Sequence, residues 1–165
     1  MEESVLDQLD LRLLAELQRD ASRSNQALAE SLGISPATSL RRVRRLVELG
    51  VIERQVALLQ PDRLAAVLGH GLTALVEVSL DRQGQEPLDA FEARVVADAA
   101  VQQCWRVSPG PDFMLVVAVR DMPGYQALAQ RLFTQDANVR NVRAFFSLKR
   151  AKFEPAQPLP DRWRG

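Results

Sequence analysis

The sequence has a single cysteine, Cys104, and a single histidine, His70. One thiol cannot build a disulfide framework, and one Cys with one His falls short of the ligands that a structural zinc ion takes. Neither a Cys–His pair on a shared loop nor a glycine-rich phosphate-binding loop is evident. We therefore expect no metal site, no cofactor and no catalytic residue.

A long apolar run and an excess of charge of either sign are also missing. The 21 basic and 21 acidic side chains cancel among 165 residues, and residues 1–4 are acidic where a signal peptide would be apolar. No apolar run approaches the ~20 residues of a membrane span. We expect a cytoplasmic protein without a membrane partner, in which any attraction to nucleic acid comes from a local basic cluster.

Three short helices are predicted in the first third of the chain. Leucines recur there at three- and four-residue spacing, which places them on one face of a first helix. Ser24 caps a second helix, and Gly33 ends it. Ser35 begins a third helix, which continues to about Leu49. Three such helices with a glycine-containing turn are typical of a helix-turn-helix motif.

The residues after this motif are predicted to form a hairpin or wing and then a joint. The segment 51–59 is apolar and β-branched, which favours short strands. A short helix follows, and the Gly-His-Gly sequence at 69–71 gives a flexible connection. We therefore predict a winged helix-turn-helix domain at 1–59 and a linker or hinge at 60–71.

The remainder of the chain changes to the two-residue period of β-strands. Strands are predicted at 72–80, 101–107, 113–119 and 139–148, and helices at 87–99 and 123–133. The order β-α-β-β-α-β is that of a ferredoxin-like unit. This second domain is placed at 72–153 and a loosely ordered C-terminal tail at 154–165. The fold class is therefore α+β.

The third predicted helix carries the clearest indication of function. At about 100° per residue, one arc is apolar and is expected to face the core: Leu40, Val43, Leu46 and Val47. The opposite arc carries small and basic residues: Ala37, Thr38, Arg41, Arg42, Arg44 and Arg45. Four arginines against the single acid Glu48, in a neutral chain, are typical of a DNA-recognition helix. The alternative is a merely solvated helix face.

Each candidate on this helix has a predicted role. Arg41 and Arg42 have the forked donors that bond guanine O6 and N7, and the methyl groups of Ala37 and Thr38 suit contact with thymine. Later basic residues, Arg44 and Arg45, are expected on phosphates, as is Arg54 in the wing. The complete set of DNA-binding candidates is Ser35, Ala37, Thr38, Ser39, Arg41, Arg42, Arg44, Arg45 and Arg54.

A set of motifs spans most of residues 6–59. They are Leu9-Asp10, Leu13-Leu14, Leu17-Gln18, Asp20, Ser24-Asn25, Leu28-Ala29, Gly33-Ile34-Ser35-Pro36, Arg42-Val43-Arg44-Arg45-Leu46 and Gly50-Val51-Ile52. With these motifs the sequence resembles the Lrp/AsnC (leucine-responsive, or feast/famine) family of bacterial and archaeal transcription regulators. The β-α-β-β-α-β half is similar in order and length to the family's amino-acid-sensing domain, so the resemblance covers nearly the whole chain.

The resemblance implies a regulator that binds double-stranded, pseudo-palindromic DNA in the nucleoid. It implies that the second domain serves effector binding and oligomerisation, with two sensing sheets packed in a homodimer. Dimers of this family often assemble further into octamers. The effector is expected to be a small molecule, commonly an amino acid, held between protomers.

The resemblance also implies where the effector is held. The family usually has a glycine-containing loop followed by Asp-Tyr between the second and third strands. The effector-binding candidates here are Ser108, Pro109, Gly110, Pro111, Asp112 and Phe113. Asp112 matches the acidic position, but Phe113 lacks the hydroxyl and Pro109 lacks a backbone donor. Val142 and Ala144 replace the usual threonines of the fourth strand, which leaves open an amino acid, another ligand or none.

Two other functions are alternatives to that of a regulator. The related sirohaem decarboxylases share the two-domain layout and carry a His-x-Tyr-Asn-x-Trp-Phe segment in the second domain. The corresponding residues here, 111–115, have neither the His nor the Tyr-Asn pair. A ligand-binding module that has lost specific DNA recognition is the other alternative. It would bind all DNA sequences weakly and equally. For Asp112, a simple turn residue that bonds its own backbone is an equal alternative.

Overall fold

A computed structural model describes residues 6–160 of the chain. The acidic N-terminus at 1–5 and the end of the predicted tail at 161–165 lie outside the described residues. The chain divides into two compact units, one within Met1–Leu58 and Phe153–Gly165 and the other within Leu59–Lys152. Among the described residues, no helix is both long and apolar enough to span a bilayer.

The first unit contains the three predicted helices: α1 at Gln8–Arg19, α2 at Asn25–Leu32 and α3 at Pro36–Glu48. Each begins where a side-chain oxygen accepts a backbone N–H: Asp7 for α1, Ser24 for α2 and Ser35 for α3. The turn between α2 and α3 starts at Gly33, whose φ of 68° lies in the left-handed region that favours glycine. The helix-turn-helix prediction is confirmed.

The first unit is held together by a small leucine core. The buried members are Leu13, Leu14, Leu28, Leu32 and Leu46. The described part of the tail, residues 154–160, contributes to this unit although it forms no helix or strand. The Gln157 backbone N–H donates to Gln18 Oε1 at 2.5 Å, and Gln18 Nε2 donates to the Gln157 carbonyl at 3.2 Å. Leu159 packs against the leucine core, so the described part of the tail is attached to α1.

The predicted hairpin or wing at 51–59 is wrong as a β-structure. Gly50 turns the chain, and the N–H groups of Val51 and Ile52 donate to the Leu46 carbonyl at 3.0 and 3.1 Å. The segment 53–60 contains no strand. Its composition suits a strand, but a strand needs a hydrogen-bonded neighbour, and no other segment of residues 6–160 pairs with it. The apolar side chains there remain exposed.

The second unit has the predicted element order. Its elements are α4 at Pro61–Leu68, β1 at Leu72–Leu80, α5 at Gln85–Val96, β2 at Val101–Arg106, β3 at Phe113–Val119, α6 at Met122–Ala129, a π-helical turn at Gln130–Thr134 and β4 at Val139–Phe146. The sheet is antiparallel with strand order β2-β3-β1-β4. This is the ferredoxin-like arrangement.

The two faces of the sheet differ in burial. The inward residues of β1 and β3 form the core with α5 and α6: Ala74, Val76, Val78, Leu80, Phe113, Leu115, Val117, Phe91 and Leu128. The outward face is also rich in apolar side chains, but Leu75, Trp105 and Phe145 on it are 42, 60 and 46% exposed. Near its centre the Arg143 Nε lies 3.0 Å from Glu77 Oε2.

Candidate nucleic-acid interface and effector loop

Helix α3 presents a face different from the one predicted. Ser39 and Leu46 are fully buried, whereas Leu40 is 41% and Val47 is 50% exposed. The expectation that Leu40 and Val47 face the core is therefore wrong. The helix is rotated so that Ser39 takes the core position, and Leu40 lies on the surface. The exposed face now consists of residues one helical turn apart: Ala37, Leu40, Arg41 and Arg44.

Arg42 lies on the side of α3 that faces α1. Its Nη1 donates to Asp7 Oδ2 at 2.6 Å and to Asp10 Oδ1 at 2.8 Å. The Asp10 side chain is 1% exposed and that of Arg42 24% exposed. The predicted contact between Arg42 and a guanine is therefore corrected, because this guanidinium is committed to two carboxylates at the start of α1. A helical wheel could not show it, since Arg42 lies at the border between the buried and exposed arcs.

Arg45 shares the same buried carboxylate. Its Nη1 lies 3.1 Å from Asp10 Oδ2, although 45% of its side chain is exposed. Two guanidinium groups and the two carboxylates of Asp7 and Asp10 thus form one network with balanced charge. Arg45 contributes less net positive charge to the surface than the sequence alone suggests.

The network shifts the pKa values of Asp7 and Arg42. Burial raises the pKa of Asp7, but hydrogen bonds from the Asp10 backbone N–H and from Arg42 outweigh burial, so the pKa of Asp7 is lowered. Hydrogen bonds to Asp7 and then to Asp10 raise the pKa of Arg42. Both shifts stabilise the charged forms and fix α3 against the start of α1.

Arg41 and Arg44 are the cations that α3 leaves available. Both are exposed, and no ion pair within residues 6–160 involves either of them. They lie three residues apart on the same exposed face as Ala37 and Leu40. The roles predicted for them, Arg41 on a base and Arg44 on a phosphate, both require an exposed side chain. Of the four arginines predicted for the basic surface, Arg41 and Arg44 therefore supply most of its positive charge. Arg45 adds a smaller part, because Asp10 neutralises some of its charge.

The start of α3 is fixed by hydroxyl and amide groups. Ser35 Oγ accepts the Thr38 backbone N–H at 3.1 Å and lies 2.9 Å from Thr38 Oγ1. Asn25 Nδ2 donates to the Pro36 carbonyl at 2.8 Å, which ties the first residue of α2 to the first turn of α3. The sequence alone does not indicate this role of Asn25. An Asn that follows a capping serine is predicted only to be the first residue of a helix, and the sequence does not indicate its hydrogen bond to the Pro36 carbonyl.

Ser39 was a DNA-binding candidate, and the structure corrects this placement. The residue is fully buried, and its Oγ has no hydrogen-bond partner in the described part of the chain. It therefore cannot contact DNA. Arg54, in contrast, is exposed in the irregular segment after Gly50, with Nε 3.7 Å from Glu53 Oε1. Such an exposed pair is weak and leaves the guanidinium able to reach a phosphate.

We expect Ser39→Ala to stabilise the first unit by about 1 kcal/mol, because it removes a buried hydroxyl without a partner and improves helix propensity. Hydrogen exchange of the α3 amides measures the change. Ser24→Ala is the matched control, since the same substitution at the N-cap of α2 should destabilise the unit by about 1 kcal/mol. A loss of stability in both variants would contradict the assignment of an unpaired Ser39 hydroxyl.

The predicted effector loop is anchored to the sheet through Asp112. Its Oδ2 accepts the Leu80 backbone N–H at 2.7 Å and lies 3.3 Å from Gln83 Nε2. The Asp112 backbone N–H donates to the Val78 carbonyl at 2.9 Å. The Ser108–Pro109 peptide bond is cis, and Gly110 has a φ of 122°. Ser108, Pro109 and Gly110 are exposed, so the loop presents them with Asp112 at its base.

Other residues of the predicted effector site point into the core. Phe113 is fully buried, with its ring centroid 4.8 Å from that of Phe91. Its side chain therefore does not contact an effector at the loop, which corrects its placement there. Val142 and Ala144, at the positions where the family often has threonines, pack against the same core. This part of the sheet offers apolar packing instead of hydroxyl groups.

Two family models match the chain. A model described as winged helix-turn-helix DNA-binding matches residues 6–53, and one described as Lrp/AsnC ligand binding domain matches residues 73–157. The leucine-responsive regulatory protein of Rhizobium meliloti is 37% identical over 147 residues, 89% of this chain and 92% of that protein. The Bkd operon transcriptional regulator of Pseudomonas aeruginosa is 35% identical over 154 residues, 93% of this chain and 98% of the relative.

A solved structure is similar over both units. It is the crystal structure of a transcriptional regulator from Neisseria meningitidis in complex with L-Met, with a TM-score of 0.78 and 27% identity. The similarity covers 93% of this chain and 97% of that one. Two of these proteins are transcriptional regulators by name and the third is a regulatory protein by name, and none of them is described as an enzyme.

Proposed function

The chain belongs to the Lrp/AsnC family of transcriptional regulators, and on this premise we propose that it recognises a specific operator through the exposed face of α3. The face has the composition that recognition requires. Ala37 and Leu40 are apolar, Arg41 carries a forked donor for a base, and Arg44 reaches a phosphate. The observation that carries the proposal is that Arg41 and Arg44 are exposed and free of ion pairs among the described residues.

The proposed assembly is a homodimer formed through the outward face of the sheet, with an octamer as a further state. Leu75, Trp105 and Phe145 expose apolar surface there, and a second copy of the same face would remove it from water. Two copies would then present two α3 helices to a pseudo-palindromic site. We place the protein in the cytoplasm, associated with the nucleoid.

The proposed effector is an amino acid or a related metabolite. The regulator of Neisseria meningitidis was crystallised with L-Met, which supports this class of ligand for the present chain. The exposed loop at 108–110, with the Asp112 carboxylate at its base, would supply the polar contacts. A thermal-shift screen against the twenty amino acids identifies the ligand, because selective binding stabilises the folded state by mass action.

Selection from random duplex DNA tests the operator proposal. We expect the full-length chain to enrich a pseudo-palindromic sequence and to bind it at least about 1,000-fold more tightly than scrambled DNA. Both affinities should fall steeply with salt. Equal binding to all sequences would instead favour the module that has lost specific recognition.

We expect Asp112→Asn to weaken the effector response while DNA binding without effector stays unchanged. The asparagine oxygen still accepts the Leu80 N–H, so the loop remains anchored, but the charge is lost. The thermal shift that the identified ligand produces should decrease at equal concentration. A full shift in Asp112→Asn, together with unfolding of Asp112→Ala, would identify Asp112 as a turn residue with no role in binding.

A further inference from the structure

Leu40 is an exposed apolar residue in the middle of a cationic helix face. It lies in the second turn of α3 with 41% of its surface exposed. Ala37 lies one turn before it and Arg44 one turn after it, and Arg41 is its neighbour on the same face. The core side of α3 is already filled by Ser39, Val43 and Leu46. The fold of the unit therefore does not require a leucine at this position.

The chemistry of the face indicates what Leu40 meets. Arginine on either side makes the surroundings suited to DNA and unsuited to an apolar protein surface. In the major groove, the main apolar group that a base pair presents is the 5-methyl group of thymine. A leucine side chain reaches further from the helix than the methyl group of Ala37, so it can contact that group where alanine would leave a gap.

We propose that Leu40 is a specificity-determining residue that contacts a thymine methyl group in each half-site. This inference rests on the proposed function, because it requires α3 to lie in the major groove. Leu40 and Ala37 form the apolar part of the reading surface, and Arg41 forms its hydrogen-bonding part. The half-site therefore contains a thymine adjacent to, or one step from, the guanine that Arg41 contacts.

The test removes the methyl group from the DNA and the leucine from the protein. The probe is the duplex selected from random DNA, with each thymine replaced in turn by deoxyuridine. We expect wild-type affinity to fall about fourfold at one thymine per half-site, the factor for withdrawing one methyl-sized group from an apolar contact. Leu40→Ala should bind the selected duplex more weakly than the wild type does. Replacing that thymine by deoxyuridine should then change the affinity of Leu40→Ala less than about 1.5-fold, because the contact is already lost.

Val47→Ala is the matched control. Val47 is 50% exposed on the same edge of α3, seven residues and about 10 Å further along the helix axis. Val47→Ala should lose affinity about fourfold when that thymine is replaced by deoxyuridine, as the wild type does. Hydrogen exchange of α3 should be unchanged in Leu40→Ala, which separates a contact with DNA from a folding defect.

Each outcome decides the inference. If no thymine replacement affects the wild type, or if Leu40→Ala shows the same loss as the wild type, then Leu40 contacts no methyl group. A selected half-site without thymine would overturn the inference as well. In each of these three cases the protein still binds a specific sequence, so the proposed function stands and only the role of Leu40 is wrong. If the selection enriches no sequence, both the proposed function and the role of Leu40 are wrong.

Discussion

Arg42→Ala will destabilise the first unit by about 3 kcal/mol, because it removes one of the two guanidinium groups that neutralise a buried carboxylate. Asp10 is 1% exposed and accepts hydrogen bonds from both Arg42 and Arg45. Without Arg42, Asp7 also loses its partner at 2.6 Å. Domain stabilities are usually about 5–15 kcal/mol, so the loss is a large fraction of the total. Binding to specific and random DNA should weaken together.

Hydrogen exchange of the α1 and α3 amides measures this effect without interference from the second unit. Arg44→Ala is the matched control, because Arg44 is exposed on the same helix without an ion pair in the described chain, and its exchange should stay unchanged. If Arg42→Ala exchanges like the wild type and loses preference at only one base pair, then Arg42 contacts a base and the structural role assigned to it is wrong.

Acid should remove part of the same stability. The pKa of Asp7 is lowered in the folded unit from its ordinary value of 3.8. The stability that this carboxylate contributes is therefore complete above the unfolded pKa and is lost as the pH falls through the folded pKa. Since Arg42 supports the shift, the difference in stability between wild type and Arg42→Ala should narrow below about pH 4. A constant difference down to pH 2 would contradict the pairing.

The double variant Arg41→Ala, Arg44→Ala will lose at least about a hundredfold in operator affinity, or roughly 3 kcal/mol. Arg41 contributes the base contact, so its single replacement should cost about 1–3 kcal/mol and relax preference at one base pair. Arg44 contributes a phosphate contact, so its replacement should weaken all sequences alike and reduce the salt slope by about one. Titrations of selected and scrambled duplexes at several salt concentrations measure both effects.

Arg45→Ala is the informative comparison for the double variant. From the sequence alone, Arg45→Ala would be expected to reduce the salt slope of DNA affinity by about one. Because Asp10 already balances part of its charge, we expect a smaller change than Arg44→Ala produces. An unchanged operator affinity in the double variant, with Arg45→Ala strongly impaired, would place the DNA on a different face of α3.

Local signals in the sequence were sufficient for the element order and for most helix starts. Ser24 and Ser35 were predicted as caps because a short side-chain oxygen can reach the free N–H groups of the first turn, and this depends only on neighbouring residues. Strand β3 was predicted at its observed bounds because a continuous apolar run bounded by polar residues suits a central strand. These features need no information about tertiary contacts.

The rest depended on contacts between distant residues. The periodicity of α3 could not show that Asp10, more than thirty residues away, draws Arg42 and Arg45 toward α1. The same rotation of the helix buries Ser39 and exposes Leu40. Hydrophobicity alone predicts the reverse, because leucine is the more apolar of the two residues. For the segment 51–59, strand propensity is present, but no segment of residues 6–160 pairs with it. In each case the outcome depends on contacts between distant segments, which periodicity and propensity do not report.

A structure of the full-length chain bound to its selected duplex tests the central claim most directly. We predict α3 in the major groove with Leu40, Arg41 and Arg44 directed at the DNA, while Arg42 keeps its hydrogen bonds to Asp7 and Asp10. An α3 helix outside the groove, or an Arg42 guanidinium that leaves Asp10 to contact a base, would contradict it.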